Sequence, residues 1–137
     1  MTIDPNERIS RFMLSRNEFR PSDQTVKAKA FVPAKNKRLS VYRISTLSES
    51  AIWSIGNEFV AEPRGKTLYG RADLLAKDVY ALQQKVEPET SIHLLHADII
   101  PWPDGRDDIL FLATQLALRS KFVSRTPSPD ALGGAEE

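Results

Sequence analysis

The stretch that most constrains the fold of this chain runs from residue 38 to residue 56, because its hydrophobic period changes partway along. Residues 39–45 alternate apolar and polar side chains, which is typical of a β-strand. From Ser48 onward the apolar residues recur at helical spacing, and Ser48 is a good helix N-cap. The sequence therefore predicts a strand over 39–45 that leads into a helix over 49–60.

Hydrophobic periodicity predicts three more strands and three more helices around this unit. They are strands at 25–32, 66–71 and 91–100, and helices at 7–16, 72–85 and 107–122. Residues 72–86 also fit a continued strand, and the helix is preferred because apolar residues recur there at spacings of three and four. A polar loop separates 25–32 from 39–45, so we expect an N-terminal hairpin. The predicted fold is α+β, a mixed sheet of about four strands packed by three to four helices.

The length of 137 residues and the hydrophobic content of 41% are those of one globular domain. We expect this domain to span 1–123, and we expect 124–137, which is rich in Pro, Gly, Ser and Glu, to form a disordered tail. No apolar run approaches the roughly 18–20 residues that cross a bilayer, and the acidic N-terminus does not fit a signal peptide. The prediction is a cytoplasmic protein without a membrane partner.

The chain has no cysteine, which excludes disulfides, thiolate catalysis and cysteine-ligated metals. Its two histidines, His93 and His96, fall on opposite faces of the predicted strand and cannot bind one metal as a pair. His96 and Asp98 share a face, but nothing in the sequence supplies a convincing third ligand. We interpret these two as a structural polar pair, and we predict no metal site and no cofactor.

Charge is distributed unevenly along the chain. Residues 1–43 hold ten Lys and Arg against four Asp and Glu, a net charge of +6, and the remaining residues have a net charge of −5. A basic region of this kind attracts phosphate or an acidic protein surface, including another copy of the chain. The anion-binding candidates are Lys35, Lys37, Arg38 and Arg43. Simple solvation of a loop-rich N-terminal region is the alternative, because the basic residues are scattered.

Tyr42 and Arg43 end the first predicted strand of the opening stretch, and Arg43 falls on the presumed core face, where a guanidinium needs a partner. That partner is either a structural carboxylate or a bound anion. A strand-borne arginine beside a tyrosine resembles the first motif of ADP-ribosyltransferase-like NAD-binding folds, in which an arginine or histidine holds the dinucleotide. The resemblance covers only these two residues. It implies a small NAD- or nucleotide-binding enzyme that uses Arg43. The one enzyme site that can be assembled around Arg43 adds residues from two other predicted strand ends, namely Tyr69, Arg71, His96 and Asp98.

The predicted helix over 107–122 has more apolar surface than a single buried stripe requires. Acidic residues begin it and basic residues end it, in agreement with the helix dipole. Three apolar side chains lie beyond the inward stripe, namely Leu110, Phe111 and Leu118. This helix is therefore either covered on two sides or carries a face for a partner.

These patterns lead to three hypotheses about function. The leading one is a non-catalytic binding or regulatory protein that associates with another protein or with itself, because no catalytic set can be assembled from motifs. The first alternative is the nucleotide-binding enzyme that uses Arg43. The second alternative is a nucleic-acid-binding accessory protein without sequence preference, since no recognition helix or aromatic stacking pattern accompanies the basic residues.

Overall fold

The computed structural model describes residues 3–125, which form a six-stranded sheet, a two-stranded hairpin and three helices. The strands are β1 (Arg8–Met13), β2 (Phe19–Arg20), β3 (Thr25–Val26), β4 (Leu39–Arg43), β5 (Gly70–Leu75), β6 (Lys85–Pro88), β7 (His96–Ile100) and β8 (Lys121–Ser124). The helices are α1 (Glu49–Ile55), α2 (Ala76–Tyr80) and α3 (Arg106–Arg119). The tail predicted over 124–137 lies outside the described residues from residue 126 onward.

The strand order in the large sheet is β6-β7-β4-β1-β5-β8, and each neighbouring pair is antiparallel. The prediction of an α+β fold is confirmed. The predicted mixed sheet of about four strands is wrong, because six strands form the sheet and their pairings are antiparallel. None of the helices within residues 3–125 is long and apolar enough to cross a membrane.

The helix predicted over 7–16 is wrong, since this segment contains β1, which lies between β4 and β5 in the sheet. Ile9 and Met13 are buried on one face of the sheet and Phe12 is buried on the other. A strand that is covered on both faces has no apolar and polar alternation, so its apolar residues can fall by chance at helical spacing.

The predicted N-terminal hairpin is also wrong. Within 25–32 only Thr25–Val26 form a strand, β3, and it pairs with β2 rather than with β4. Ala28–Phe31 form a 3₁₀ turn, which buries Phe31 completely beneath α3. The alternating small apolar residues of this segment imitate a strand, but the buried Phe31 breaks the predicted inside and outside pattern.

The strand predicted over 66–71 and the helix predicted over 72–85 are both misplaced. β5 begins at Gly70 and continues through Leu75, α2 contains only Ala76–Tyr80, and β6 follows at Lys85–Pro88. β5 pairs with β1 on one side and β8 on the other, and its interior position buries both of its faces. As in β1, two-sided burial removes the period that distinguishes a strand from a helix.

The opening strand and helix of the sequence analysis are confirmed as β4 and α1. Ser48 caps α1, its Oγ accepting a hydrogen bond from the Ala51 backbone N at 3.2 Å, and a π-helical turn over Gly56–Ala61 continues the helix. Of the strand predicted over 91–100, only His96–Ile100 form a strand, which is β7. The helix predicted over 107–122 is confirmed as α3, although it ends at Arg119 and β8 follows it.

The two faces of the sheet pack against different helices. On the α3 face, residues such as Ile9, Val41 and Ile99 belong to one hydrophobic cluster with Ala113, Leu116 and Ala117 of the helix. On the α1 face, Phe12, Tyr42 and Ile44 contact Ile52 and Ile55. Four of the five buried polar residues lie on the α1 face, which are Ser10, Arg71, His96 and Asp98.

Candidate active site

A polar cleft opens on the α1 face at the end of the sheet formed by β4, β6 and β7. Its volume is about 460 Å³ and it is lined by Ala34, Asn36, Arg38, Ser40, Arg64, Glu89, Ile92, His96 and Asp98. A smaller cavity of about 110 Å³ adjoins it and shares Ser40, Arg64 and Ile92. A cleft of this size suits a small molecule.

Antiparallel register brings Ser40 of β4 and His96 of β7 together at the floor of this cleft. Tyr42 pairs with His96 and Ser40 pairs with Asp98, so Ser40 and His96 are diagonal neighbours on one face. The distance from Ser40 Oγ to His96 Nε2 is 2.6 Å, a short hydrogen bond. Ser40 is half-buried, whereas the exposed fraction of His96 is only 4%.

The hydrogen bonds of His96 fix the tautomer of its ring. His96 Nδ1 lies 2.7 Å from the backbone oxygen of Glu89, which can only accept, so a neutral ring carries its proton on Nδ1. Nε2 is then left with a lone pair, and Ser40 Oγ donates its hydrogen to it. This is the orientation that a general base needs toward a hydroxyl nucleophile.

The side chain of Glu89 adds a carboxylate to the same arrangement. Its Oε1 is 3.3 Å from His96 Nδ1, and its Oε2 accepts a hydrogen bond from Ser91 Oγ at 2.7 Å. The bond from Ser91 lowers the pKa of Glu89, so the carboxylate stays charged beside the ring. A carboxylate in this position stabilises the imidazolium that forms when His96 accepts a proton.

Arg38 forms the wall of the cleft and is occupied by two carboxylates. Its Nε donates to Asp98 Oδ2 at 2.8 Å and its Nη2 donates to Glu87 Oε1 at 2.6 Å. The bonds to Asp98 and Glu87 raise the pKa of Arg38, and the bond from Arg38 lowers the pKa of Glu87. Asp98 Oδ1 is 3.8 Å from His96 Nε2, beyond hydrogen-bonding distance. The ion pair with Arg38 therefore holds Asp98 beside the histidine, and Ser40 remains the hydrogen-bond partner of Nε2.

Arg11 fixes the backbone of Ser40. Its Nη1 donates to the Ser40 carbonyl oxygen at 2.9 Å, and its Nε donates to the Ala30 carbonyl oxygen at 2.9 Å. Burial lowers the pKa of Arg11, and its Coulombic interaction with Glu18 acts in the opposite direction. The pairing register between β1 and β4 extends only to Ser10 and Tyr42, and Arg11 bridges the two strands beyond that point.

The enzyme site assembled from the sequence around Arg43 is only partly gathered in the structure. His96 and Asp98 share the cleft, as their parity predicted. Arg43 lies on the α3 face, where its Nη2 is 3.5 Å from Glu7 Oε1, and Tyr69 lies in a separate cavity with Phe19. Arg71 is buried under α1 and bonds Glu49 and Asp73, so it does not line the cleft.

Three of the four predicted anion-binding residues lie beside carboxylates of the chain. Arg38 bonds two carboxylates, Arg43 lies beside Glu7, and Lys37 forms an ion pair with Asp104. Lys35 is exposed. Lys37 lowers the pKa of Asp104 through their hydrogen bond.

Sequence reasoning did not identify Ser40, Glu89 or Arg64 as site residues. Ser40 and Glu89 reach His96 through a strand pairing and a turn, neither of which has a local signature. The one usable signal was parity in β4, which places Ser40 and Tyr42 on the face away from Leu39. Among residues 3–125, no group of three His, Asp or Glu side chains is arranged to hold a metal ion.

Comparison of the chain with protein-family models, with curated proteins and with solved structures found no match. The geometry of the cleft is therefore the basis for an assignment of function.

Proposed function

We propose that the protein is a small hydrolase that cleaves a polar ester through an acyl intermediate on Ser40. The observation that supports this most is the 2.6 Å contact between Ser40 Oγ and His96 Nε2, in a ring whose Nδ1 is held by Glu89. A serine hydroxyl alone is a weak nucleophile. An adjacent base that is oriented by a third group is the arrangement that activates it.

In the proposed reaction Ser40 Oγ attacks the ester carbonyl carbon while His96 Nε2 takes the hydroxyl proton. The tetrahedral intermediate then collapses, the bond to the leaving alcohol breaks, and His96 returns the proton to the alcohol oxygen. Water attacks the resulting acyl–Ser40 ester in the same way. The acid is released, and the proton taken from water returns to Ser40 Oγ through His96.

Two side chains of the cleft have N–H groups to offer to the substrate. Asn36 accepts from the Arg38 backbone N through its Oδ1, which leaves its amide nitrogen for an oxyanion. Arg64 donates to the Val60 carbonyl oxygen, and within residues 3–125 it forms no ion pair. A guanidinium without a carboxylate partner attracts anions, so we propose that the ester carries a negative charge.

The proposal is tested by labelling with a fluorophosphonate probe and by hydrolysis of short phenyl esters, neutral and anionic. We expect one label per chain, located on Ser40 by peptide mass spectrometry. Ser40→Ala removes the label, and His96→Gln slows both labelling and hydrolysis by about 10²–10⁴-fold because the general base is lost. Ser54→Ala, an exposed serine of α1, is the matched control and keeps the wild-type rate.

Two results would overturn the proposal. One is a folded wild-type protein that takes no label and hydrolyses none of the esters. The other is labelling that persists in Ser40→Ala, which would place the reactive group elsewhere. Circular dichroism of each variant shows that a lost signal comes from the side chain and not from unfolding.

A further inference from the structure

The outer face of α3 carries two large apolar side chains that the fold leaves in solvent. The exposed fraction of Phe111 is 62% and that of Leu118 is 71%. They are seven residues apart, close to two helical turns, so they lie on one line along the helix. Thr114 and Gln115 lie between them, and Leu110, which the sequence also assigned to a partner face, is half-buried on the flank.

The inner face of the same helix is already covered. Ala113, Leu116 and Ala117 are buried against the sheet and the 3₁₀ turn. Phe111 and Leu118 therefore add nothing to the core of one chain. Their exposure is unfavourable unless another surface covers them.

The charges along α3 indicate what that surface is. Asp107 and Asp108 lie in its first turn beside Arg106, and Arg119 ends it, followed by Lys121. Asp108 and Arg119 are eleven residues apart, close to three turns, so both lie along one side of the apolar line. Opposite charges thus mark the two ends of the same flank.

We propose that this face binds a second copy of the chain, with the two α3 helices antiparallel about a two-fold axis near Thr114 and Gln115. Phe111 of each copy then contacts Leu118 of the other. Asp108 of each copy lies beside Arg119 of the other, because the two-fold axis of an antiparallel pair brings the same flank of both copies together, whereas a parallel pair forms no contact between these residues. The outer face of α3 is thus complementary to the same face of a second copy that runs in the opposite direction. An isologous dimer requires this self-complementarity, and an unrelated partner does not. This inference is independent of the activity at Ser40.

The first test is size-exclusion chromatography with light scattering across a range of protein concentrations. We expect the mass of two chains for the wild type at micromolar concentration. Leu118→Glu places a charge against Phe111 of the other copy and weakens the dimer by about 100-fold. Leu94→Glu is the matched control, because Leu94 is 76% exposed in the loop before β7, and it keeps the dimer intact.

The second test is a charge exchange that identifies the partner as another copy in antiparallel orientation. Asp108→Arg and Arg119→Asp each bring like charges together and weaken the dimer. Because the two positions face each other, the double variant restores the wild-type dissociation constant to within about three-fold. A wild type that stays monomeric at high micromolar concentration overturns the proposal. A double variant at least as weak as the two single variants overturns the antiparallel arrangement.

Discussion

The two faces of one sheet bury their side chains by different rules. The core of the α3 face is built from apolar side chains, and residues such as Ile9, Val41 and Ile99 need only fill space. The α1 face also buries Arg71, His96 and Asp98, and each of these has partners at hydrogen-bonding distance, as buried polar groups require. The α3 face therefore adds stability through apolar packing, which needs no directional contacts, whereas hydrogen bonds fix the positions of the buried polar groups on the α1 face. The candidate active site lies on the α1 face.

The α1 face is itself divided by what covers it. At one end Arg71 is 1% exposed, forms a bidentate pair with Glu49, donates to Asp73 and stacks on Trp53, with its guanidinium carbon 4.7 Å from the ring centroid. At the other end Ser40 and His96 border an open cleft. The covered end has each charge matched by a protein partner. At the open end Arg64 forms no ion pair with another residue of 3–125.

The largest loss of stability is expected from a substitution on the α3 face. Phe31→Ala removes a fully buried ring beneath α3, and we expect a loss of about 4 kcal/mol in the free energy of unfolding because a cavity remains. Urea unfolding monitored by circular dichroism measures this loss. Phe111→Ala, compared at dilutions where the chain is monomeric, costs less than about 0.5 kcal/mol because this ring is exposed. Equal losses in the two variants would contradict the assignment of Phe31 to the core.

Local patterns in the sequence predicted the elements that have local causes. β4 alternates because Leu39 and Val41 face α3 whereas the more polar Ser40 and Tyr42 face the other side. α1 begins at Ser48 because a side-chain oxygen caps it there. β1 and β5 escaped prediction because each is interior to the sheet and buried on both faces. A strand that is buried on both faces has no alternation of apolar and polar residues from which it could be predicted.

The candidate site was predictable only where it depends on one strand. His96 and Asp98 share a face by parity alone, and the sequence placed them together. The contact of Ser40 with His96 joins residues 56 positions apart and depends on the pairing of β4 with β7. A predicted hairpin between 25–32 and 39–45 assigned β4 a different neighbour. The contact therefore required the tertiary structure.

The covered end of the α1 face is tested by Arg71→Ala. This change leaves Asp73 without its buried cation and Trp53 without the stacked guanidinium, so we expect a loss of about 3 kcal/mol. Arg71→Lys restores the charge but not the planar fork that reaches both carboxylates, and an intermediate loss is expected. Urea unfolding of the three proteins measures both losses. A loss below about 0.5 kcal/mol for Arg71→Ala would mean that this buried network is energetically neutral.

The smallest expected effect is a pH-dependent loss of stability on the α1 face. The hydrogen bond from Arg71 lowers the pKa of Glu49 below its ordinary value. A carboxyl whose pKa is depressed in the folded state adds stability above its unfolded pKa of about 4.3 and loses it as pH falls through the folded pKa. Glu49→Gln should therefore cost up to about 1 kcal/mol at neutral pH, since the carboxylate is 65% exposed, and less at about pH 3. The loss caused by Phe31→Ala should be the same at both pH values, because no titrating group is removed. Urea midpoints at the two pH values distinguish the faces, and a pH-independent loss for Glu49→Gln would show that its pairing with Arg71 contributes no electrostatic stability.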